Sequence, residues 1–378
     1  MFKIILKKVW HLSYIITIRL IHPLNLCMVL LRKKNTFNDS VLHISLMVHV
    51  PYHTTRILRK IGMKADYMAK GKSAVWNKCD YEVPDTRPPF LQAIKEIILF
   101  WQVVAKYEAV HLHFGHTMSR SGWELSFLKR LGRKIIIHYR GCEIRDYNVN
   151  SNLHPSMNIC QQCDYDRSCL LPANKIRMSY VQKYGDTFLV TTPDLLDFAP
   201  SALHMPFFCP EDENIFSVSK EIRYPKRPLR ILHWTNHPGI EGTGAIRLAV
   251  LNLQEKGYAV ELVIFKGVSF DEIQKKLSDV DLTIGKMKMG YYANSQIEAM
   301  AAGVPTITWV RPELSTESLQ ESGFIFTHIN NLEVTLEYLL NNPEEIEKKR
   351  CIARKSIQKL HNNLEIANKY RNLYQNAS

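Results

Sequence analysis

Between Arg230 and Pro312 the chain alternates short apolar runs with amphipathic stretches, a pattern that restricts it to an α/β fold. LRILHWT, AVELVIFKG, VDLTIG and VPTITWV read as buried strands, and TGAIRLAVLNLQEKG, SFDEIQKKL and SQIEAMAAG read as the helices between them. Runs without polar alternation belong to parallel sheets, whose two faces are both covered. The same texture fills the first half. VLHISLMV, ADYMAK, AVHLHFG, KIIIHYRG and TFLVTT predict strands, and YHTTRILRKIGM, LQAIKEIILFWQVVAKY and GWELSFLKRLG predict helices. A further helix is expected to start at Pro193, capped by Thr192.

At 378 residues the chain exceeds one ordinary core. The Pro-rich, charged and aperiodic stretch between His204 and Arg230 marks a linker. The expected plan is an N-terminal segment 1–40, a first domain 41–205, a linker 206–229, a second domain 230–342 and a helical tail 343–378. The tail is long enough to run back across the cleft. Two Rossmann-like domains facing each other follow.

The net charge of +13 is concentrated at one end. No acidic residue precedes Asp39, whereas Lys3, Lys7, Lys8, Arg19, Arg32, Lys33 and Lys34 lie before it. The same segment holds an apolar stretch, Val9 to Leu31, interrupted by Arg19, His22, Pro23 and Asn25. A central Arg costs about 2.5–3.5 kcal/mol on insertion, which argues against a spanning helix. No small-residue cleavage site marks a signal peptide. Such a segment suits the surface of an anionic membrane; the alternative is a pair of helices packed on the first domain. Charge on an apolar segment is a poor match for nucleic acid. The expected location is cytoplasmic, peripheral on the inner face of the cell membrane.

Ligands of open α/β sheets bind outside the carboxyl ends of the strands, and three such ends stand out. In HWTNHPGIEGTG, His237, Gly239, Gly242 and Thr243 surround a helix start, where glycines let backbone N–H groups approach phosphate or merely make the turn. In FKGVS, Lys266, Gly267 and Val268 can border a base. In MGYYANSQIEAMAAG, Asn294 or Ser295 is expected to cap a helix beside Gly290. Glu298, one turn in, can accept from a ribose diol or complement the helix dipole.

These motifs, in this order, resemble the donor half of GT-B glycosyltransferases, particularly the family 4-like group. HLHFG, KIIIHYRGCEIRD and TTPDLLDF in the first half are similar to a subgroup of them. The resemblance implies transfer of a sugar from a nucleotide diphosphate sugar to an acceptor hydroxyl, with retention and without a metal. A glycan or lipid-linked acceptor fits the basic N-terminus. Glu298 matches the ribose-binding carboxylate. Gly290 stands where the family has another acid, and Glu241 stands where a basic residue is common. Lys286, Lys288, Arg140 or His237 is left to supply positive charge. Arg140-Gly141 replaces a His-Gly pair near the reacting sugar, so Arg140 and His138 are the catalytic candidates. His116 and Arg120, with Ser119 and Ser121, are candidates for the acceptor side. A nucleotide-sugar epimerase of the same plan and a degenerate binding or scaffold protein are the alternatives.

Asp279-Val280-Asp281 has the form of a metal-binding DxD but starts a strand away from the cleft, so a structural role is expected. No GxGxxG supports a nicotinamide cofactor. Cys160-x-x-Cys163, with Cys142 and Cys169, makes a candidate structural zinc site, with His154 as a substitute ligand. Reduced thiols without metal are the alternative. The eight cysteines are otherwise expected to be reduced.

Overall fold

A computed structural model describes residues 2–32, 38–153, 157–211, 224, 227–268 and 270–376. His154 and most of the linker lie outside them. Two all-parallel sheets organise the chain. The first orders its strands β3-β2-β1-β4-β5-β6-β7, built from β1 (Ser40–Leu46), β2 (Lys64–Lys70), β3 (Tyr81–Glu82), β4 (Ala109–His113), β5 (Lys134–Tyr139), β6 (Thr187–Val190) and β7 (Leu203–His204). The second runs β12-β11-β10-β8-β9, from β8 (Leu229–Trp234), β9 (Val260–Phe265), β10 (Leu282–Ile284), β11 (Thr306–Thr308) and β12 (Phe324–Phe326). This two-sheet α/β architecture is the GT-B fold expected from the sequence.

Helices cover the sheets. Around the first lie α1 (Phe2–Arg32), α2 (His49–Lys60), α3 (Pro89–Gln102), α4 (Glu124–Arg130), α5 (Tyr147–Leu153) and α6 (Pro172–Tyr184). Around the second lie α7 (Pro238–Glu241), α8 (Thr243–Glu255), α9 (Phe270–Leu277), α10 (Asn294–Ala301), α11 (Glu317–Gln320) and α12 (Leu332–Asn341). Gly62, at φ +85°, closes α2 in the left-handed region that glycine alone adopts without strain. The first core joins Leu42, Ile44, Val110, Leu112, Ile135 and Ile137 to Phe100 and Phe127.

Three expectations are corrected. The N-terminal segment forms one helix, with Pro23 inside it, rather than a pair. Its inner face is pinned to the first domain: Tyr14 Oη donates to Glu96 at 2.5 Å, and Trp101 Nε1 to Asn25 Oδ1 at 2.6 Å. Its outer face exposes Leu12, Ile16, Leu20 and Leu24, a stripe at i, i+4 spacing. Leu12–Leu30 is also long and apolar enough to cross a membrane, by length and composition alone. Second, Pro193–Asp197 makes only a 3₁₀ turn, without a cap bond from Thr192. Its Asp194 accepts instead from Arg145, 49 residues away, at 2.5 Å.

The third concerns the tail, which breaks into α13 (Pro343–Leu360) and α14 (Asn363–Asn376). At the break, His361 Nδ1 lies 2.8 Å from Phe207 O, and Asn363 exchanges two bonds with the Cys209 backbone. The return crossing therefore packs beside the outgoing one. Ile366, Ala367, Tyr370 and Tyr374 of α14 then join the core beneath the first sheet.

Candidate functional site

The carboxyl ends of the two sheets meet. After β8, Thr235 Oγ1 accepts from His237 N–H at 2.9 Å, and Gly242 turns the chain into α8 at φ +86°. Asp164, from the loop after β5, lies against this turn. Its carboxylate accepts from Gly239 N–H at 3.3 Å and Ile240 N–H at 2.8 Å. Tyr165 Oη lies 2.8 Å from His237 Nε2. A Cβ at Gly239 would stand 2.2 Å from the Gln162 carbonyl oxygen, so the contact itself demands glycine. Protein groups thus occupy the N–H donors assigned to phosphate.

Lys286 pairs with Glu241, offsetting the acid at the position where the resemblance leads one to expect a base. Lys288 Nζ donates to Gly239 O at 3.1 Å, and burial lowers its pKa. Burial also lowers the pKa of His237, helped by Lys286 and, more weakly, Lys266. Thr243 is turned inward, its hydroxyl 2.8 Å from His233 Nε2. Gly267, at φ +68°, donates from N–H to Asn236 Oδ1 at 3.2 Å, while Val268 packs on the second core.

At α10 the cap is Ala293, not Asn294 or Ser295, and its N–H donates to the Gln296 side chain at 3.0 Å. Ser295 Oγ donates to the same Gln296 oxygen. Asn294 instead bonds Glu298 directly and reaches His49 Nε2 at 2.8 Å. His49 Nε2 is also 3.2 Å from Glu298 Oε1, so the ribose candidate is met by a residue of the first domain. His49 follows β1 and lies beside Trp76 and His53, with ring centroids 5.9 and 6.1 Å away. Gly290 adopts φ +83° and faces Arg311, which pairs with Asp197 of the first domain at 2.5 Å.

Arg140 emerges at the end of β5 above four fully buried histidines, His43, His111, His113 and His138. Its Nε donates to His113 Nδ1 at 2.8 Å, and its NH1 to Thr191 Oγ1 at 3.4 Å. The rings connect onward: His113 to His43 at 2.9 Å, Tyr374 Oη to His111 at 2.7 Å and to His43 at 3.4 Å, His111 to His138 at 3.1 Å, and His138 to Thr191 at 3.0 Å. Burial lowers the pKa of all four, and Arg140 adds to the effect at each. His43, His111 and His113 gather within 4.8 Å. The neighbouring guanidinium opposes a cation there, and their ring nitrogens are engaged with one another, Tyr374 and Arg140.

His138 is therefore corrected: it lies sealed beneath Arg140 and does not face the cleft. Among the described residues no carboxylate lies within ion-pair distance of the Arg140 guanidinium; Glu143 instead accepts from its backbone N–H. His116 and Arg120 are not brought to this centre. Arg120 pairs with Asp85 at 3.1 Å, and His116, its pKa pushed down by burial to about 4, lies near Arg177 and Lys70. Asp279 and Asp281 sit at the opposite end of β10, bound by Arg230 and Arg227. Cys142, Cys160, Cys163 and Cys169 line one small cavity with Tyr165 and Ile240.

The residues missed in the sequence are His49, Asp164, Tyr165 and Arg311. The rule that ligands sit at strand carboxyl ends would have found His49, since HVPYH directly follows VLHISLMV.

No family model matches the chain, and no curated protein matches it. Solved structures of the same fold do. The chain is similar to sucrose-phosphate synthase from Thermosynechococcus elongatus at 14% identity, covering 89% of this chain and 98% of that one, with a TM-score of 0.60. It is similar to the catalytic domain of starch synthase IV from Arabidopsis thaliana, bound to ADP and acarbose, at 11% identity over 89% and 99% of the two chains, with a TM-score of 0.57. Anabaena HepE in complex with UDP-glucose gives 10% identity, 87% and 97% coverage and a TM-score of 0.52. At such identities the likeness establishes the fold.

Proposed function

We propose that this chain is a glycosyltransferase that moves a hexose-type unit from a nucleoside diphosphate sugar to an acceptor hydroxyl, without a catalytic metal and with retention. One observation carries the reading: carboxyl-end loops of one sheet meet those of the other, His49 at Glu298 and Asp164 at Gly239 and Ile240. That junction is where this class of fold binds ligands. Glu298 holds the ribose, and the diphosphate displaces Asp164 from the backbone N–H groups of the loop from His237 to Thr243. Arg140, which has no carboxylate partner for its guanidinium among the described residues, stabilises charge as the nucleoside diphosphate leaves. The two domains closing on the donor exclude water from the reacting centre.

The exposed Leu12, Ile16, Leu20 and Leu24 of α1, in an acid-free segment bearing Arg19, support docking on the inner face of an anionic membrane. A lipid-linked glycan acceptor follows from that placement. The decisive experiment is a thermal-shift panel of nucleotide sugars on the full chain, then mass spectrometry of the stabilising donor with candidate acceptors. Glu298→Ala should remove most of the stabilisation; an unchanged shift would refute the ribose assignment. Turnover of the donor without acceptor would point to an epimerase. No shift with any donor would leave a binding or scaffold protein.

A further inference from the structure

Among the described residues between Tyr147 and Leu171, Ile159 and Cys160 pack on Ile240, with Cys142, Tyr147 and Met289 at the edge, and Met157 is buried as well. Val149, Leu153, Tyr165, Leu170 and Leu171 are exposed. Asp166 and Arg167 both take left-handed backbone, at φ 48° and 54°, a conformation that costs a side-chain-bearing residue about 1–2 kcal/mol. Consecutive strained residues persist where the surroundings hold them. Long loops without a core of their own need such a constraint.

The sulfurs supply one. Cys142 follows Arg140-Gly141 at the end of β5, Cys160 lies within a 3₁₀ turn (Ile159–Gln162) that Cys163 ends, and Cys169 sits in the next. The strained pair lies between Cys163 and Cys169 and turns the chain back, so that all four thiols line one cavity. All four are free. Buried Asn150 donates from Nδ2 to Cys160 Sγ at 3.3 Å, and Asn158 fixes the Cys160 N–H at 2.9 Å. A hydrogen bond to sulfur favours the thiolate, the form that binds a metal, here against the burial that pushes the Cys160 thiol up. Arg145, 5% exposed and paired with Asp194, lies beside Cys142, where its charge only partly offsets the burial that pushes this thiol up.

We propose that Cys142, Cys160, Cys163 and Cys169 bind one structural zinc ion as a tetrathiolate. Four sulfurs with no water-bearing position suit a closed tetrahedral site. No three of them lie within 4.8 Å of one another, so binding draws the thiols inward around the cavity. Each Cys–SH loses its proton as its sulfur bonds the ion, so four protons leave to solvent for each Zn²⁺ bound. Asp164 and Tyr165 directly follow Cys163, so the ion fixes the segment that presses on the loop from His237 to Ile240. Only this last consequence rests on the proposed donor site.

The test is metal analysis of the full chain purified under reducing, chelator-free conditions. About one zinc per chain is expected, lost in Cys160→Ser and Cys163→Ser and kept in the exposed-thiol controls Cys27→Ser and Cys351→Ser. Should the site variants fail to fold, the stripped wild-type protein is titrated with Co²⁺. An intense sulfur-to-cobalt band at a stoichiometry of one supports the site. Zinc absent from the purified chain, together with no such band, overturns it, as does a stoichiometric iron–sulfide chromophore. None of these readouts depends on glycosyl transfer.

Discussion

Arg140 Nε donates to His113 Nδ1 at 2.8 Å, and this bond fixes the protonation of the histidines beneath it. A guanidinium only donates, so His113 Nδ1 is an acceptor and the neutral ring carries its proton on Nε2. That proton goes to His43 Nδ1, and His43 Nε2 donates to Tyr374 Oη. Tyr374 donates to His111 Nδ1, His111 Nε2 to His138 Nδ1, and His138 Nε2 to Thr191 Oγ1. Thr191 ends the chain on the Tyr139 carbonyl. Every ring is neutral, and each step has one donor and one acceptor. The chain passes through Tyr374 of α14, so the tail completes the support of Arg140.

Tyr374→Phe removes the single hydroxyl linking the two halves. His43 Nε2–H and His111 Nδ1 are then buried without partners, at about 1–3 kcal/mol for each orphaned group. Denaturant unfolding should show a loss in this range, and a change within error would mean that the histidines are not coupled through the tyrosine. Arg140→Ala likewise orphans buried His113 Nδ1, at about 1–3 kcal/mol, and should slow transfer by the folded protein by about 10²–10³; full activity would remove Arg140 from the reacting centre.

Acid should unfold this protein well above the carboxylate range. Burial pushes His43 down to about 3, and His53, His116 and His361 to about 4. The unfolded chain therefore binds protons that the folded one refuses. Stability is intact above about pH 6.5 and falls as pH drops toward the folded values, by about 2 kcal/mol per histidine at pH 5. Melting temperatures from pH 7.5 to 5 check this, and a flat profile contradicts it.

Asp164 competes with the ligand assigned to the loop after β8. Asp164→Ala frees the Gly239 and Ile240 N–H groups and removes a negative charge. Nucleoside diphosphate should bind about fivefold more tightly, the equivalent of about 1 kcal/mol. Calorimetry with the best-stabilising nucleotide decides; weaker binding would make Asp164 a ligand-side group instead of a competitor.

Leu20 and Leu24 are 75% and 63% exposed on α1, pointing away from Tyr14 and Asn25. Leu20→Glu with Leu24→Glu should lower sedimentation with anionic vesicles at least about tenfold, since burying each leucine in lipid is worth about 1.5–3 kcal/mol. The melting temperature should hold, because neither side chain is packed. Undiminished vesicle binding would refute the membrane face.

The strands that position the site were legible because parallel strands covered on both faces are continuous apolar runs. β3 and β7, of two residues each, are too short to show a period. Glu298 and Arg140 stand out within local motifs. Their partners do not, since His49 meets Glu298 across 249 residues and Tyr374 meets His111 across 263. Such contacts depend on how the two sheets and the tail are placed, which no local spacing encodes. The same ignorance made His138 look like a cleft residue: alternation gives its side of the strand, but not that α14 covers that side.

Gly290 shows why a departure from a resembled pattern need not be a loss. At φ +83° a side chain is strained, and a Cβ would lie 2.8 Å from Arg311 Cγ, the stem of a side chain tied to Asp197. The carboxylate expected there has no room, and Arg311 occupies the space with a contact between domains. Gly290→Glu, which restores the resembled acid, should therefore cost about 2–4 kcal/mol through backbone strain and displacement of Arg311. It should give no gain in transfer, and Gly290→Ala should carry most of the same cost. A Glu variant that melts with the wild type and turns over faster would show that the loop can rearrange and that the acid was merely missing.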